Sequence, residues 1–307
     1  NEKKKFDIIV AHDWLDLPSG MAAKEATGLP LVYHVHATEI GRSLGSPTWE
    51  LVNLELTGGR EADLVITVSH AMKDEMIKTG FPGEKIRVCH NGVDTDIFSP
   101  GRVKKERTEE LRKEFDIKDD EAVLLYVGRL EQMKGVDNLV SAMPLVLKEN
   151  PDTKLLILGK GTLEGKIKHI NSDLGIEDKV VMDTRFVDDE AKIHYYAATD
   201  CCIFPSLYEP FGIVALEAMA MERPVVVGAH GTSGLRESVV VPPSEGATGI
   251  HVDPNRPDDI AWGTNAVLED RERAKTWGKN GRKRVLEYFT WDKVVEETIK
   301  VYREVIL

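Results

Sequence analysis

SLYEPFGIVALEAMA occupies residues 206–220, and the reading of its two acids decides the fold. Glu209 stands between Tyr208 and Pro210, just before a helix predicted to begin near Phe211. Glu217 follows eight positions later, among Phe211, Ile213, Val214, Leu216 and Met219. The residues before it, DCCIFPS (200–206), read as a buried strand, so the stretch is a strand, a loop and a helix. Gly212 lets a ligand approach the free N–H groups at such a helix start. Glu217 lies roughly 9 Å along the axis from Phe211. Helical side chains lean toward the N-terminus, so its carboxylate can return to the strand ends. There it could accept both ribose hydroxyls of a nucleotide, with Glu209 facing a reacting group beyond a diphosphate. The plainer alternative is a capping acid at Glu209 and a buried salt bridge at Glu217. Burying a carboxylate without a partner costs several kcal/mol, so Glu217 needs one under either reading.

The surroundings repeat the pattern. FDIIVA (6–11), LPLVYHV (29–35), DLVITVS (63–69) and KIRVCH (85–90) read as strands. The helices between them are SGMAAKEAT (19–27), 46–62 and 70–80. A polar stretch with a helical pattern, 99–121, follows and suits a linker. A second series has strands AVLLYVG (122–128), TKLLILG (153–159), KVVMD (179–183), DCCIFPS and RPVVVG (223–228), with helices between them and near 257–287 and 291–306. Alternating strands and helices predict an α/β chain with two doubly wound parallel sheets and ligands at the carboxyl ends of strands. The expected domains are 1–100, completed by the helix at 290–307, and 122–289, joined by a linker over 101–121.

Composition narrows the function. The chain has 307 residues, is 42% hydrophobic and carries a net charge of −12. That length suits two domains, and the charge argues against nucleic acid as main partner. No apolar run approaches the ~18–20 residues of a membrane span. NEKKKF (1–6) leads into a strand with no apolar signal region. Cys89, Cys201 and Cys202 form no disulfide framework and read as small buried hydrophobes in a reducing, cytoplasmic setting.

Further candidates sit at the strand ends. GRLEQMKG (128–135) puts Arg129 and Lys134 in one strand-to-helix loop. Two cations beside a helix N-terminus favour a doubly charged anion such as a diphosphate, although solvated surface cations look the same in sequence. No Walker-type glycine loop is present. LGKGTLEG (158–165) adds a glycine turn at Gly159. His34 and His36 alternate on a strand and share a face; the pair fits a core or edge position better than a metal site. His12 and Asp13 could simply cap the helix that follows. AHGTSGLRE (229–237) holds Gly231 and Gly234, which suit a ligand loop or an ordinary turn.

The E-x7-E spacing of Glu209 and Glu217 in PSLYEPFGIVALEAMAMERPVVV, with GRLEQMKG, resembles retaining glycosyltransferases of the GT-B fold, in particular the glycogen/starch synthase-type group. AHDW (11–14), HVHATE (34–39), TVSHAMKDEM (67–76), NGVDTDIF (91–98) and the closing FTWDKVVEETIKVYREV (289–305) match that pattern in order. The resemblance implies that Arg129 and Lys134 hold the donor diphosphate and that Glu217 binds the ribose. Gly212 and Gly159 would admit the donor. Glu209 would sit against the sugar hydroxyls and His36 by the anomeric centre, with Asp13 on the acceptor side. The donor would be a nucleotide-sugar, ADP-glucose or UDP-glucose, and the acceptor a carbohydrate such as an α-glucan end. No cofactor and no metal are implied, because Arg and Lys replace Mg²⁺ and DTD falls in the family's Asn-Gly-Val-Asp turn. A transferase of another sugar to a lipid or small acceptor, a nucleotide-sugar 2-epimerase and a nucleotide-binding fragment remain alternatives. The family's glycine-rich loop near its N-terminus has no counterpart here, which implies a first sheet without its opening strands.

Overall fold

Continuous runs of Val, Ile and Leu suit strands buried on both faces of a parallel sheet. A computed structural model, describing residues 6–306, places them so. The chain divides into two compact units. The first runs through Asn91 and takes in the helix from Trp291; the second is Gly92–Thr290. The polar lead-in read at residues 1–5 lies outside the described residues.

The first unit holds β1 (Ile9–His12), α1 (Asp13–Thr27), β2 (Leu31–Val35), α2 (Glu39–Arg42), α3 (Trp49–Glu61), β3 (Leu64–Thr67), α4 (His70–Thr79) and β4 (Ile86–Val88). Its four strands are parallel in the order β1-β2-β3-β4. The last helix of the chain, Trp291–Ile306, belongs to this unit. Its Val301, Tyr302 and Val305 pack with Val32, Leu64, Ile66 and Cys89.

The second unit begins with α5 (Lys105–Glu114), so the charged stretch read as a linker is folded into it. There follow β5 (Ala122–Val127), α6 (Val136–Glu149), β6 (Thr153–Leu158), α7 (Glu164–Asp173), β7 (Val180–Asp183), α8 (Asp189–Ala197), β8 (Cys201–Phe204), α9 (Ile213–Ala220) and β9 (Val225–Gly228). A short helix α10 (Leu235–Ser238), β10 (Gly249–Val252), α11 (Pro257–Leu268) and α12 (Arg271–Tyr288) complete it, and Trp291–Ile306 is then α13. The six strands are parallel in the order β10-β9-β8-β5-β6-β7. Within this sheet the chain enters at β5, winds outward through β6 and β7, then returns to β8 on the other side of β5. The direction of winding therefore reverses between β5 and β8, the topological switch point at which open α/β sheets bind ligands.

Three local readings need correction. The first helix begins at Asp13, six residues before its expected start, and carries Pro18 within its opening turns. Of the helix expected over 46–62, only Trp49–Glu61 is helical, with α2 as a separate turn. β10 was not among the expected strands; its four residues, GIHV, are too short and too polar to stand out from a loop.

Candidate active site

Lys134 and Glu209 come from opposite sides of the switch point. Lys134 ends the loop after β5, where Gly135 adopts a left-handed φ of 64° as the chain turns into α6. A Cβ on Gly135 would lie 2.1 Å from the Pro205 carbonyl oxygen, so only glycine lets this loop sit against the loop after β8. That close approach brings Lys134 Nζ to 2.6 Å from Glu209 Oε2. Ser206 Oγ donates to the same carboxylate oxygen at 3.1 Å. Glu209 is buried, and its pairing answers the question its position raised. It does not cap α9, whose N-cap is Gly212 with no side-chain cap. Arg129, in the same loop as Lys134, is exposed.

Gly212 adopts φ 94°, and a Cβ there would meet Leu235 Cδ2 at 2.4 Å. Gly159 has a packing reason for being glycine: a Cβ would lie 1.9 Å from the Gly128 carbonyl oxygen at the ends of β5 and β6. In the third loop, Gly231 has open space around it, whereas a Cβ on Gly234 would press on the Pro210 oxygen at 2.3 Å.

Glu217 has partners that no motif announced. Lys192 Nζ, from α8, lies 3.1 Å from each carboxylate oxygen, and the Tyr196 hydroxyl donates to Oε2 at 2.8 Å. Lys192 also pairs with Asp189 at 2.8 Å and stands over the Phe98 ring. Burial pushes the Glu217 carboxyl above its ordinary range, with Lys192 and Tyr196 pulling it back. Burial alone would pull Lys192 down; Glu217 and Asp189 outweigh it and hold the ammonium charged. The buried salt bridge offered as the plainer alternative for Glu217 is therefore present. A carboxylate has about four acceptor positions, so these contacts leave capacity for a hydroxyl.

Asp13 and His36 lie in the first unit. Asp13 takes a left-handed φ of 53°, a strained conformation for a side chain other than glycine. Its Oδ1 accepts the His36 backbone N–H at 2.7 Å, tying the end of β1 to the turn after β2. The alternative reading of His12 and Asp13 as caps holds in position only: His12 is the N-cap of α1, and its side chain makes no capping hydrogen bond. Burial lowers the affinity of His36 for a proton, Asp13 opposes that, and His12 adds to it. His34 is buried and pushed down to about 3 by burial and by its two histidine neighbours. In the NGVDTDIF turn, Asp94 Oδ1 accepts the backbone N–H groups of Asp96 and Ile97, both at 3.0 Å.

Comparison with known proteins identifies the family. The family model described as "Glycosyl transferases group 1" matches residues 107–284, and "Glycosyltransferase Family 4" matches residues 1–97. An uncharacterized glycosyltransferase of Methanocaldococcus jannaschii is 36% identical over 303 residues, which cover 97% of this chain and 75% of that protein. A glycogen synthase of Mycobacterium tuberculosis is 34% identical over 304 residues, covering 96% of this chain and 68% of the synthase. Among solved structures, Anabaena HepE in complex with UDP and glucose superposes with a TM-score of 0.85 at 23% identity, over 97% of this chain and 78% of HepE. With its two parallel sheets, the chain has the GT-B fold and belongs to the group 1 glycosyltransferases.

Proposed function

We propose that this glycosyltransferase moves glucose from a nucleoside-diphosphate glucose to a carbohydrate acceptor, an α-glucan end being the first candidate, and that it retains the anomeric configuration. The observation that carries this reading is the Lys134–Glu209 pair at the switch point of the second sheet. Glycosyl transfer develops positive charge on the sugar and negative charge on the departing diphosphate. Fixed charges of opposite sign, a carboxylate toward the sugar and cations toward the diphosphate, stabilise both developing charges. Lys134 and Arg129 serve the diphosphate. Glu209 serves the sugar hydroxyls, and its salt bridge hands Lys134 to the incoming phosphates.

Glu217 takes the ribose with its remaining acceptor capacity. Gly212 leaves the N-terminus of α9 open to the donor, while Gly159 contributes through packing. His36 and Asp13 keep the roles that the family resemblance implies, at the anomeric centre and toward the acceptor. The glycogen synthase relative supports the glucan acceptor, and the UDP and glucose in HepE support the donor class. Three buried free cysteines suit a cytoplasmic setting. Among the described residues no helix is long and apolar enough to cross a membrane.

A donor screen scored by released nucleoside diphosphate, with and without glucan, tests the reading. Release that requires the acceptor and yields an α-linked product from an α-linked donor is expected. Conversion of donor without acceptor would identify an epimerase instead, and no release from any glucose donor would refute the assignment.

A further inference from the structure

Three histidines in the first unit stand together for a reason written into the backbone. β1 and β2 are parallel neighbours, and His12 and His34 are direct partners in their register. Residues opposite each other on adjacent strands present side chains to the same face. His36 is two positions beyond His34 and returns to that face. One ring nitrogen from each of the three lies within 4.8 Å of the other two. His12 Nδ1 and His36 Nε2 are 2.9 Å apart, with their rings stacked at an interplanar angle of 11°. His12 is exposed, His36 half-buried and His34 buried, so the cluster is open on one side and anchored on the other.

We propose that His12, His34 and His36 bind a divalent transition-metal ion of the zinc class. Imidazole nitrogen is a preferred donor for such ions. Zinc–nitrogen bonds of about 2.0–2.1 Å in a tetrahedron place ligand nitrogens about 3.3 Å apart. The His12–His36 pair is already near that spacing, and a ring adjustment on the order of 1 Å gathers the third nitrogen. A neutral imidazole has one proton, so the ring that donates in the His12–His36 hydrogen bond moves its proton to the other nitrogen when the metal binds. The Tyr302 hydroxyl, 3.0 Å from His34 Nε2, holds that ring in place, as outer partners of metal-bound histidines do. Three protein ligands leave a fourth position for water.

All three ligands belong to the first unit, whereas Arg129, Lys134, Glu209 and Glu217 belong to the second. Resting on the function proposed above, it has one consequence. A metal that takes up a His36 ring nitrogen competes with the use of that ring at the sugar.

Zinc titration of the chelator-treated full chain, by competition with a chromophoric chelator, tests the site. One equivalent should bind, and His12→Ala and His36→Asn should each weaken it by about 100-fold or more. Because His12 is solvent-exposed, His12→Ala separates ligand loss from unfolding, with circular dichroism as the check. Cobalt substitution should give the intense visible bands of a four-coordinate site, lost in the same variants. No stoichiometric zinc binding, or equal affinity in wild type and both variants, would overturn the site. Zinc that saturates the site while sugar transfer runs at full rate would overturn the competition only, and nucleotide binding would still report on the donor site separately.

Discussion

At the scale of single residues, Glu209 and Glu217 are each paired, and their partners differ. Arg129→Ala removes an exposed charge and should weaken nucleoside diphosphate binding roughly 10- to 150-fold, the worth of one charge-assisted contact. Lys134→Ala should do the same and also lower the melting temperature, because it leaves the buried Glu209 without its cation. Calorimetry with ADP and UDP, beside thermal melts, reads both effects; unchanged affinity in both variants would remove the diphosphate assignment. Glu217→Gln strands Lys192 with Asp189 alone and should cost roughly 3 kcal/mol of stability while weakening nucleotide binding. Glu209→Gln should mainly lower kcat, and an equal loss of nucleotide affinity in both Gln variants would undo the division of labour. A third acid gives a pH signature. Glu55, buried beside Glu39, Arg42 and Asp13, is pushed up to about 7 by burial. Its folded form holds a proton that the unfolded chain releases near the ordinary glutamate value of 4.5. Its contribution to stability is therefore full below pH 4.5 and lost as the pH rises through 7. Glu55→Gln should melt above wild type at pH 8 and close to it at pH 4.5; a gap that does not change with pH would refute this.

At the scale of elements, glycines set how near the strand-end loops approach. Gly159 was expected to admit the donor, yet a Cβ there would strike the Gly128 carbonyl oxygen at 1.9 Å. Gly159→Ala should therefore cost on the order of 1–3 kcal/mol of stability, read as a lower melting temperature without any nucleotide present. An alanine variant that melts normally but binds donor poorly would restore the ligand-approach reading. The same distinction explains what the sequence could reveal. Strands such as AVLLYV and TKLLIL were legible because a strand buried on both faces must be apolar throughout. β10 was not, because GIHV is short and His251 breaks the run. Arg129, Lys134, Glu209 and Glu217 were legible as motif residues, since each lies at a fixed offset from a strand end. Lys192 and Tyr196 were not. Their meeting with Glu217 depends on where α8 lands against α9, which no local spacing encodes. The sheet order that makes the switch point was hidden likewise, because strand pairing is a long-range choice.

At the scale of the whole molecule, the chain makes one continuous unit and one discontinuous unit. The buried core from Leu124 to Trp277 draws only on Gly92–Thr290. The first unit instead needs α13, which is some 200 residues away in sequence by the pairing of Arg87 with Glu304, separated by 217 positions. Val301, Tyr302 and Val305 cover Val32, Leu64, Ile66 and Cys89, and Tyr302 also holds His34. A chain ended after Thr290 should consequently lose the fold of its first unit and keep that of its second. Burying a side chain the size of valine or leucine is worth roughly 1.5–3 kcal/mol, so losing this helix removes a large fraction of a four-stranded unit's margin. Limited proteolysis should then degrade residues up to about Asn91 and leave a resistant product beginning near Gly92. ADP and UDP affinity should remain within about threefold of the full chain, since a shift of that size is under 1 kcal/mol. Sugar transfer should disappear with His36 and Asp13. If the truncated chain loses nucleotide binding along with its first unit, the donor site does not belong to the second unit alone, and the separation of roles between the two units fails.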